Sequence, residues 1–125
     1  MILGTGIDII EVDRIREAWK RHGLPFAQRI LTPPEIEYCL AYPDPAPHLA
    51  ARFAAKEAVS KAFGTGIGNG VGWHDIQIDR AESGKPSVTL SPAGLLLMQS
   101  LGARSIHVSL THSTVHAAAV AILEN

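Results

Sequence analysis

The chain has 125 residues, 46% hydrophobic and 18% charged, a balance near the globular average that indicates neither a disordered chain nor a membrane protein. That length buries roughly two thirds of the surface of the unfolded chain and leaves no room for a second core, so a single domain over residues 1–125 is expected. Its formal net charge of −1 excludes a global attraction to nucleic acid or anionic lipid, and an acidic partner has to be met by a local basic patch.

The N-terminus, Met-Ile-Leu-Gly-Thr-Gly-Ile-Asp, lacks a basic n-region and an apolar stretch of signal-peptide length. No run approaches the ~18 apolar residues of a membrane span, so a cytoplasmic protein is expected. Residues 2–10 read as a strand, with Thr5, Ile7 and Ile9 on one face and Gly4, Gly6 and Asp8 on the other. Glycines in a strand mark close approach by another backbone or a ligand. A carboxylate flanked by Ile7, Ile9 and Ile10 needs a partner to offset its desolvation; alternatively, Asp8 ends the strand at the surface or caps the next helix.

A first helix is predicted from about Glu11 to His22, with Val12, Ile15 and Trp19 as its core stripe and Gly23 as its stop. Its remaining surface is basic: Arg14 and Arg21 lie seven apart on one line, Arg16 and Lys20 four apart on another, interrupted by Asp13 and Glu17. Charges in such a pattern also make an ordinary solvated face. Pro25 opens a second helical turn carrying Phe26 and Ile30, and Thr32-Pro33-Pro34-Glu35 is a capping box that starts a short helix to about Leu40. Cys39 falls in its apolar pattern and reads as a small buried hydrophobe; being the single cysteine, it excludes an internal disulfide. Tyr42 to Pro47, with prolines at 43, 45 and 47, reads as a stiff connector, and a long helix begins just after it.

Residues 52–68, Arg-Phe-Ala-Ala-Lys-Glu-Ala-Val-Ser-Lys-Ala-Phe-Gly-Thr-Gly-Ile-Gly, carry that helix into a glycine-rich loop. Ala51, Ala54, Ala55, Ala58, Val59 and Ala62 make one face, small enough for a neighbour to pack very close, while Arg52, Lys56 and Ser60 form a polar row beside Phe53, Glu57 and Lys61. From spacing alone, Glu57 and Lys61 are an ordinary surface ion pair. The glycines follow a helix and open a strand, the reverse of the Walker and dinucleotide motifs, so the loop is not a phosphate cradle of those kinds.

Beyond the loop, Ile76 and Ile78 alternate with Gln77 and Asp79, and Val88 and Leu90 with Ser87 and Thr89, around the turn Glu82-Ser83-Gly84-Lys85-Pro86; this is a hairpin. Ser91-Pro92 caps a short helix over Leu95 to Leu101. Two last strands follow, one with Ile106, Val108 and Leu110 inward and one over Ala117 to Leu123. His112 and His116 have the spacing of a metal-binding helix but flank a hairpin turn, with no Cys or His cluster to complete a zinc site.

Four stretches in this order are similar to those of the holo-acyl-carrier-protein synthases, the short type of 4′-phosphopantetheinyl transferase. They are Gly-Thr-Gly-Ile-Asp-Ile-Ile-Glu-Val-Asp-Arg-Ile at 4–15, the segment at 52–68 already quoted, Ser-Gly-Lys-Pro at 83–86 and Ser-Leu-Thr-His-Ser at 109–113. The resemblance covers nearly the whole chain. It implies that coenzyme A is the donor and that a serine of apo acyl carrier protein attacks its β-phosphate, releasing adenosine 3′,5′-bisphosphate, in support of fatty acid biosynthesis. It also implies a magnesium ion held by Asp8 and Glu57, with Glu57 or a metal-bound water taking the serine proton. Lys61 is expected to meet the diphosphate; Gly84, Lys85, Pro86, Thr111 and His112 are expected to contact the nucleotide. Arg14, Arg16, Lys20 and Arg21 would dock the acidic carrier protein. Ser83 stands where the family often has an acidic or amide residue, and Asn69-Gly70 enlarges the glycine loop.

The fold implied is α+β, an antiparallel or mixed sheet packed by one long helix and shorter ones. The assembly implied is a homotrimer with an active site at each subunit interface. A non-catalytic module that binds phosphorylated ligands or acidic proteins would keep the basic surface, yet has no need for Asp8 and Glu57 together.

Overall fold

The computed structural model describes residues 1–125. Strand β1 (Ile2–Glu11) leads into helices α1 (Val12–His22), α2 (Leu24–Ile30), α3 (Pro33–Leu40) and α4 (Ala46–Phe63); a 3-10 turn (Trp73–Asp75), strands β2 (Ile76–Arg80) and β3 (Pro86–Leu90), helix α5 (Pro92–Ser100) and strands β4 (Ser105–His112) and β5 (His116–Glu124) complete the chain. All pairing is antiparallel: a three-stranded sheet in the order β1-β5-β4, and the separate hairpin β2-β3. The α+β expectation holds, with no parallel pair.

Helix α4 lies across the inner face of the three-stranded sheet, and its packing follows from side-chain size. Its face of Ala51, Ala54, Ala55, Ala58, Val59 and Ala62 is buried, as is the row Ala117, Ala119, Ala121 and Leu123 on the central strand β5. On β1 even an alanine is too large. A Cβ at Gly6 would stand 1.8 Å from the Ala58 carbonyl oxygen, and one at Gly4 would stand 2.1 Å from that of Ala62. The two glycines therefore set the distance at which the helix crosses the strand that carries Asp8.

The opposite side of α4 is buried too, which the residue pattern does not announce. Lys56 is fully buried, and its ammonium donates to the carbonyls of Ile30 at 2.7 Å and Trp73 at 2.9 Å and pairs with Glu35 at 2.7 Å. Glu35 in turn accepts the Thr32 N–H at 2.8 Å, closing the expected capping box, and the Ile78 N–H at 2.9 Å. Burial pushes the Lys56 ammonium down, with the Glu35 charge opposing. Every donor of the lysine has an acceptor, the condition under which a buried charge is tolerated; removing one partner of such a pair costs about 3–5 kcal/mol.

Two boundaries differ from those read in the sequence. Helix α4 starts at Ala46, so Pro47 is inside its first turn, where the missing N–H loses no bond, and Asp44 accepts the Ala46 N–H at 3.3 Å. Helix α5 starts at Pro92, with the Ser91 hydroxyl accepting the Gly94 N–H at 3.1 Å. Gly64 ends α4 in the left-handed region, φ +81°. Cys39 is fully buried, and burial raises its thiol to about 11.

Candidate active site

Asp8 lies on the inner face of β1 beneath α4. Its Oδ1 accepts from the Lys61 ammonium at 3.0 Å, and the same ammonium donates to the Ile7 carbonyl at 3.0 Å. Asp8 caps nothing: the residue preceding α1 is Glu11. Glu57, one helical turn before Lys61, forms no ion pair, so the Glu57–Lys61 surface pair that spacing suggests does not exist; the lysine turns to the strand instead. Burial pushes the Glu57 carboxyl up, and the Asp8 charge adds to the effect while Lys61 partly offsets it. Two carboxylates thus share one small region with a single cation between strand and helix.

No group of three or more His, Cys, Asp and Glu side chains converges anywhere in the chain. His112 and His116 flank a turn, closed by a Ser113 N–H to His116 carbonyl bond of 2.7 Å, and make no metal site. Asp8 and Glu57 fit a hard divalent ion that takes one or two protein carboxylates and fills its shell with substrate oxygens and water. Neither residue fits a closed structural site.

A second cluster gathers on the other flank of α4. A cavity of about 250 Å³ is lined by His48, Ala51, Arg52, Arg80, Leu110, Thr111 and His112, and a smaller one next to it, sharing Arg52 and Arg80, is bordered by Gly84 and Pro86. Four of the five nucleotide candidates therefore meet around two guanidiniums; Lys85 is exposed on the hairpin turn and lines neither cavity. Ser83 serves that turn, its hydroxyl accepting the Lys85 N–H at 3.4 Å.

Arg52, Arg80 and His48 are the residues that sequence reasoning missed. Arg52 is 3% exposed, forms no ion pair, and its Nε has no hydrogen-bond partner. The two carboxylates nearby are occupied, Glu35 by Lys56 and Asp79 by Gln77 and Thr89. His48 stacks on Tyr42 with centroids 3.6 Å apart. Burial holds the imidazole below its ordinary value, helped by the charges of His112, Arg52 and Arg80. The cluster is short of negative charge, which is the electrostatic character of an anion receptor.

On α1, Arg14, Lys20 and Arg21 are exposed and unpaired, whereas Arg16 is tied to Asp13 and, at 2.7 Å, to Asp44 before α4. Three of the four candidate docking residues are free. A roomier cavity, about 540 Å³ between α2, α3 and the 3-10 turn, contains none of the sequence candidates.

The profile of the 4′-phosphopantetheinyl transferase superfamily matches residues 4–122. A holo-acyl-carrier-protein synthase of Maridesulfovibrio salexigens is 48% identical over 99% of this chain and 99% of its own. Among solved structures, the holo-acyl-carrier-protein synthase of Neisseria meningitidis superposes with a TM-score of 0.92 at 37% identity, covering all of both chains. The Helicobacter pylori holo-acyl-carrier-protein synthase, solved in complex with coenzyme A, has a TM-score of 0.86 at 35% identity, covering 96% of this chain and 99% of its own.

The environment of Glu57 generates a test of the first cluster. Glu57 binds its proton more tightly in the folded than in the unfolded chain, so ionising it weakens the fold. The Glu57→Gln variant is expected to melt no lower than the parent. Its advantage should grow as pH rises from the ordinary carboxylate value of 4.5 through the raised value, and stay constant above it. Thermal melts across that range check it; an advantage that shrinks with rising pH would contradict the placement.

Proposed function

The chain belongs to the 4′-phosphopantetheinyl transferase superfamily, and we propose that the two clusters flanking α4 carry its reaction. It transfers the 4′-phosphopantetheine group from coenzyme A to a serine of apo acyl carrier protein, giving the holo carrier and adenosine 3′,5′-bisphosphate, in support of fatty acid biosynthesis. The observation that carries the mechanism is the placing of Asp8, Glu57 and Lys61 together by a helix lying on two glycines.

Asp8 and Glu57 would hold magnesium, whose Lewis acidity would be supplied to the diphosphate when the ion is bound. Lys61 is 49% exposed at its side chain and is free to move from Asp8 to the diphosphate, where it neutralises charge on the departing phosphate. The serine oxygen attacks the β-phosphorus, the bond to the bridging oxygen breaks, and that oxygen leaves with adenosine 3′,5′-bisphosphate. Glu57, whose carboxyl is pushed up by burial and by the Asp8 charge, accepts the serine proton. Arg52, Arg80, His48 and His112 receive the phosphates at the nucleotide end. A module that only bound phosphorylated ligands would need this second cluster and not the first.

One chain's two clusters lie about 140° apart around α4, since Arg52 and Glu57 are five residues apart in a 3.6-residue helix. A coenzyme spanning them is better held between two copies, the β1 side of one facing the β4 side of the next. The outer face of the sheet supports this reading: Ile7 and Ile9, 71% and 66% exposed, sit in register with Val120 and Ala118 as an uncovered apolar surface. A homotrimer with interface sites is the assembly we assign. Sedimentation at assay concentration is expected to give a trimer, and Ile7→Asp to give inactive monomers; a fully active parent monomer would refute it. No helix is long and apolar enough to cross a membrane, and we assign the enzyme to the cytoplasm.

Mass measurement of apo carrier protein incubated with coenzyme A and magnesium tests the activity: the carrier should gain one phosphopantetheine. Asp8→Asn and Glu57→Gln should each lower turnover by more than about 100-fold, several kcal/mol of transition-state stabilisation. Near-normal turnover in either would sink the metal assignment.

The carrier protein docks on the exposed basic side of α1. Reversing Arg14 or Arg21 to Glu should raise KM for the carrier by roughly tenfold and leave KM for coenzyme A nearly unchanged, and salt should mimic part of the effect in the parent. Carrier kinetics unaffected by both reversals would place the dock elsewhere.

A further inference from the structure

Arg52 poses a physical problem that its role as an anion receptor does not solve. A buried guanidinium is normally held by a carboxylate, which fixes its orientation and offsets the loss of hydration. Arg52 has none. What it has is the Tyr38 ring, whose centroid lies 3.9 Å from the guanidinium carbon; the Arg80 guanidinium lies 5.7 Å from the same centroid. The ring is itself fixed: its hydroxyl meets that of Tyr42 at 3.1 Å, the two rings meet edge to face at 5.5 Å, and Tyr42 stacks on His48.

We propose that Tyr38 is a positioning residue for phosphate binding, its aromatic face holding Arg52, and less closely Arg80, in place of a carboxylate. An aromatic face attracts a cation through its quadrupole but accepts none of its in-plane N–H bonds. The guanidinium is thereby oriented with its terminal N–H groups left for a ligand. A carboxylate in the same place would take two of those donors and would have to be displaced by each incoming phosphate. The Nε of Arg52, buried and without an acceptor, shows that no protein carboxylate is brought to this guanidinium. Tyr38 also confers selectivity, because a ligand with two phosphate groups draws on both guanidiniums that the ring serves, and a ligand with one does not.

This inference rests on the assignment of the Arg52 cluster to the nucleotide end of coenzyme A. Calorimetric titration with adenosine 3′,5′-bisphosphate and with adenosine 5′-monophosphate tests both, using the parent, Tyr38→Leu, Tyr38→Phe and Arg52→Gln. Tyr38→Leu is expected to weaken the bisphosphate about tenfold and the monophosphate less. In transfer assays it should raise KM for coenzyme A with kcat nearly kept. Tyr38→Phe keeps the ring and should bind within about twofold of the parent, which a role of the hydroxyl pair in folding would not allow. Parent-like affinity in Tyr38→Leu, or equal losses in Leu and Phe, overturns the role of the ring, provided Arg52→Gln loses affinity. Unchanged affinity in Arg52→Gln overturns the assignment of the cluster itself, and the inference with it.

Discussion

The contact between α4 and β1 is the constraint on which the rest of the molecule depends. Two backbones come so close that a methyl group on Gly6 would overlap the carbonyl of Ala58. The reward for that proximity is chemical rather than cohesive. A helix riding higher on larger side chains would bury more apolar area, yet it would lift Glu57 and Lys61 away from Asp8. The alanines of β5 repeat the choice on the central strand, so the whole sheet is lowered beneath the helix. What the core gives up in side-chain volume is made good on the far side of α4, by Lys56 and Glu35 and by Phe53 packed on Trp73 at 4.9 Å.

Helix α4 also shows two opposite treatments of a buried cation, one turn apart. Lys56 is saturated, with two carbonyls and a carboxylate for its three protons, and is closed to any ligand. Arg52 is oriented by a ring and left with free donors. Saturation makes a charge structural. Leaving it unsaturated makes it receptive, and the difference lies in the neighbours each cation is given.

Much of this was legible in the sequence, and the exceptions have physical causes. The glycines of β1 announced a close approach because no other residue type permits one, and the alternation of Ile76, Ile78, Val88 and Leu90 gave the hairpin its register. The pairing of Glu57 was misleading because helical spacing reports neighbours on one helix, whereas Lys61 found a better acceptor on a strand far away in the chain. Lys56 and Arg52 looked like parts of one polar row. Whether such a row meets solvent depends on what α3 and β2 lay over it, and a periodicity of 3.6 carries no information about the second covering layer. Gly84 and Pro86 were placed by resemblance, and so were Thr111 and His112; the guanidiniums they surround were invisible because Arg80 closes a strand whose pattern is otherwise ordinary.

The bond from Lys56 to the Trp73 carbonyl has a consequence for chain length. The glycine loop, residues 64–72, leaves the end of α4 and returns to a point fixed on the same helix, so its end-to-end separation is set by that hydrogen bond and not by its own sequence. In polymer terms it is a clamped ring. Closure entropy grows only as the logarithm of length, so two additional residues, such as Asn69-Gly70, cost about 0.2 kcal/mol. Handedness is held far more strictly: Gly64, Gly66, Gly68 and Gly70 all have positive φ, a region in which other residues are strained. The loop is therefore free to vary in length while its backbone chirality is not, and insertions should be tolerated where substitutions of its glycines are not.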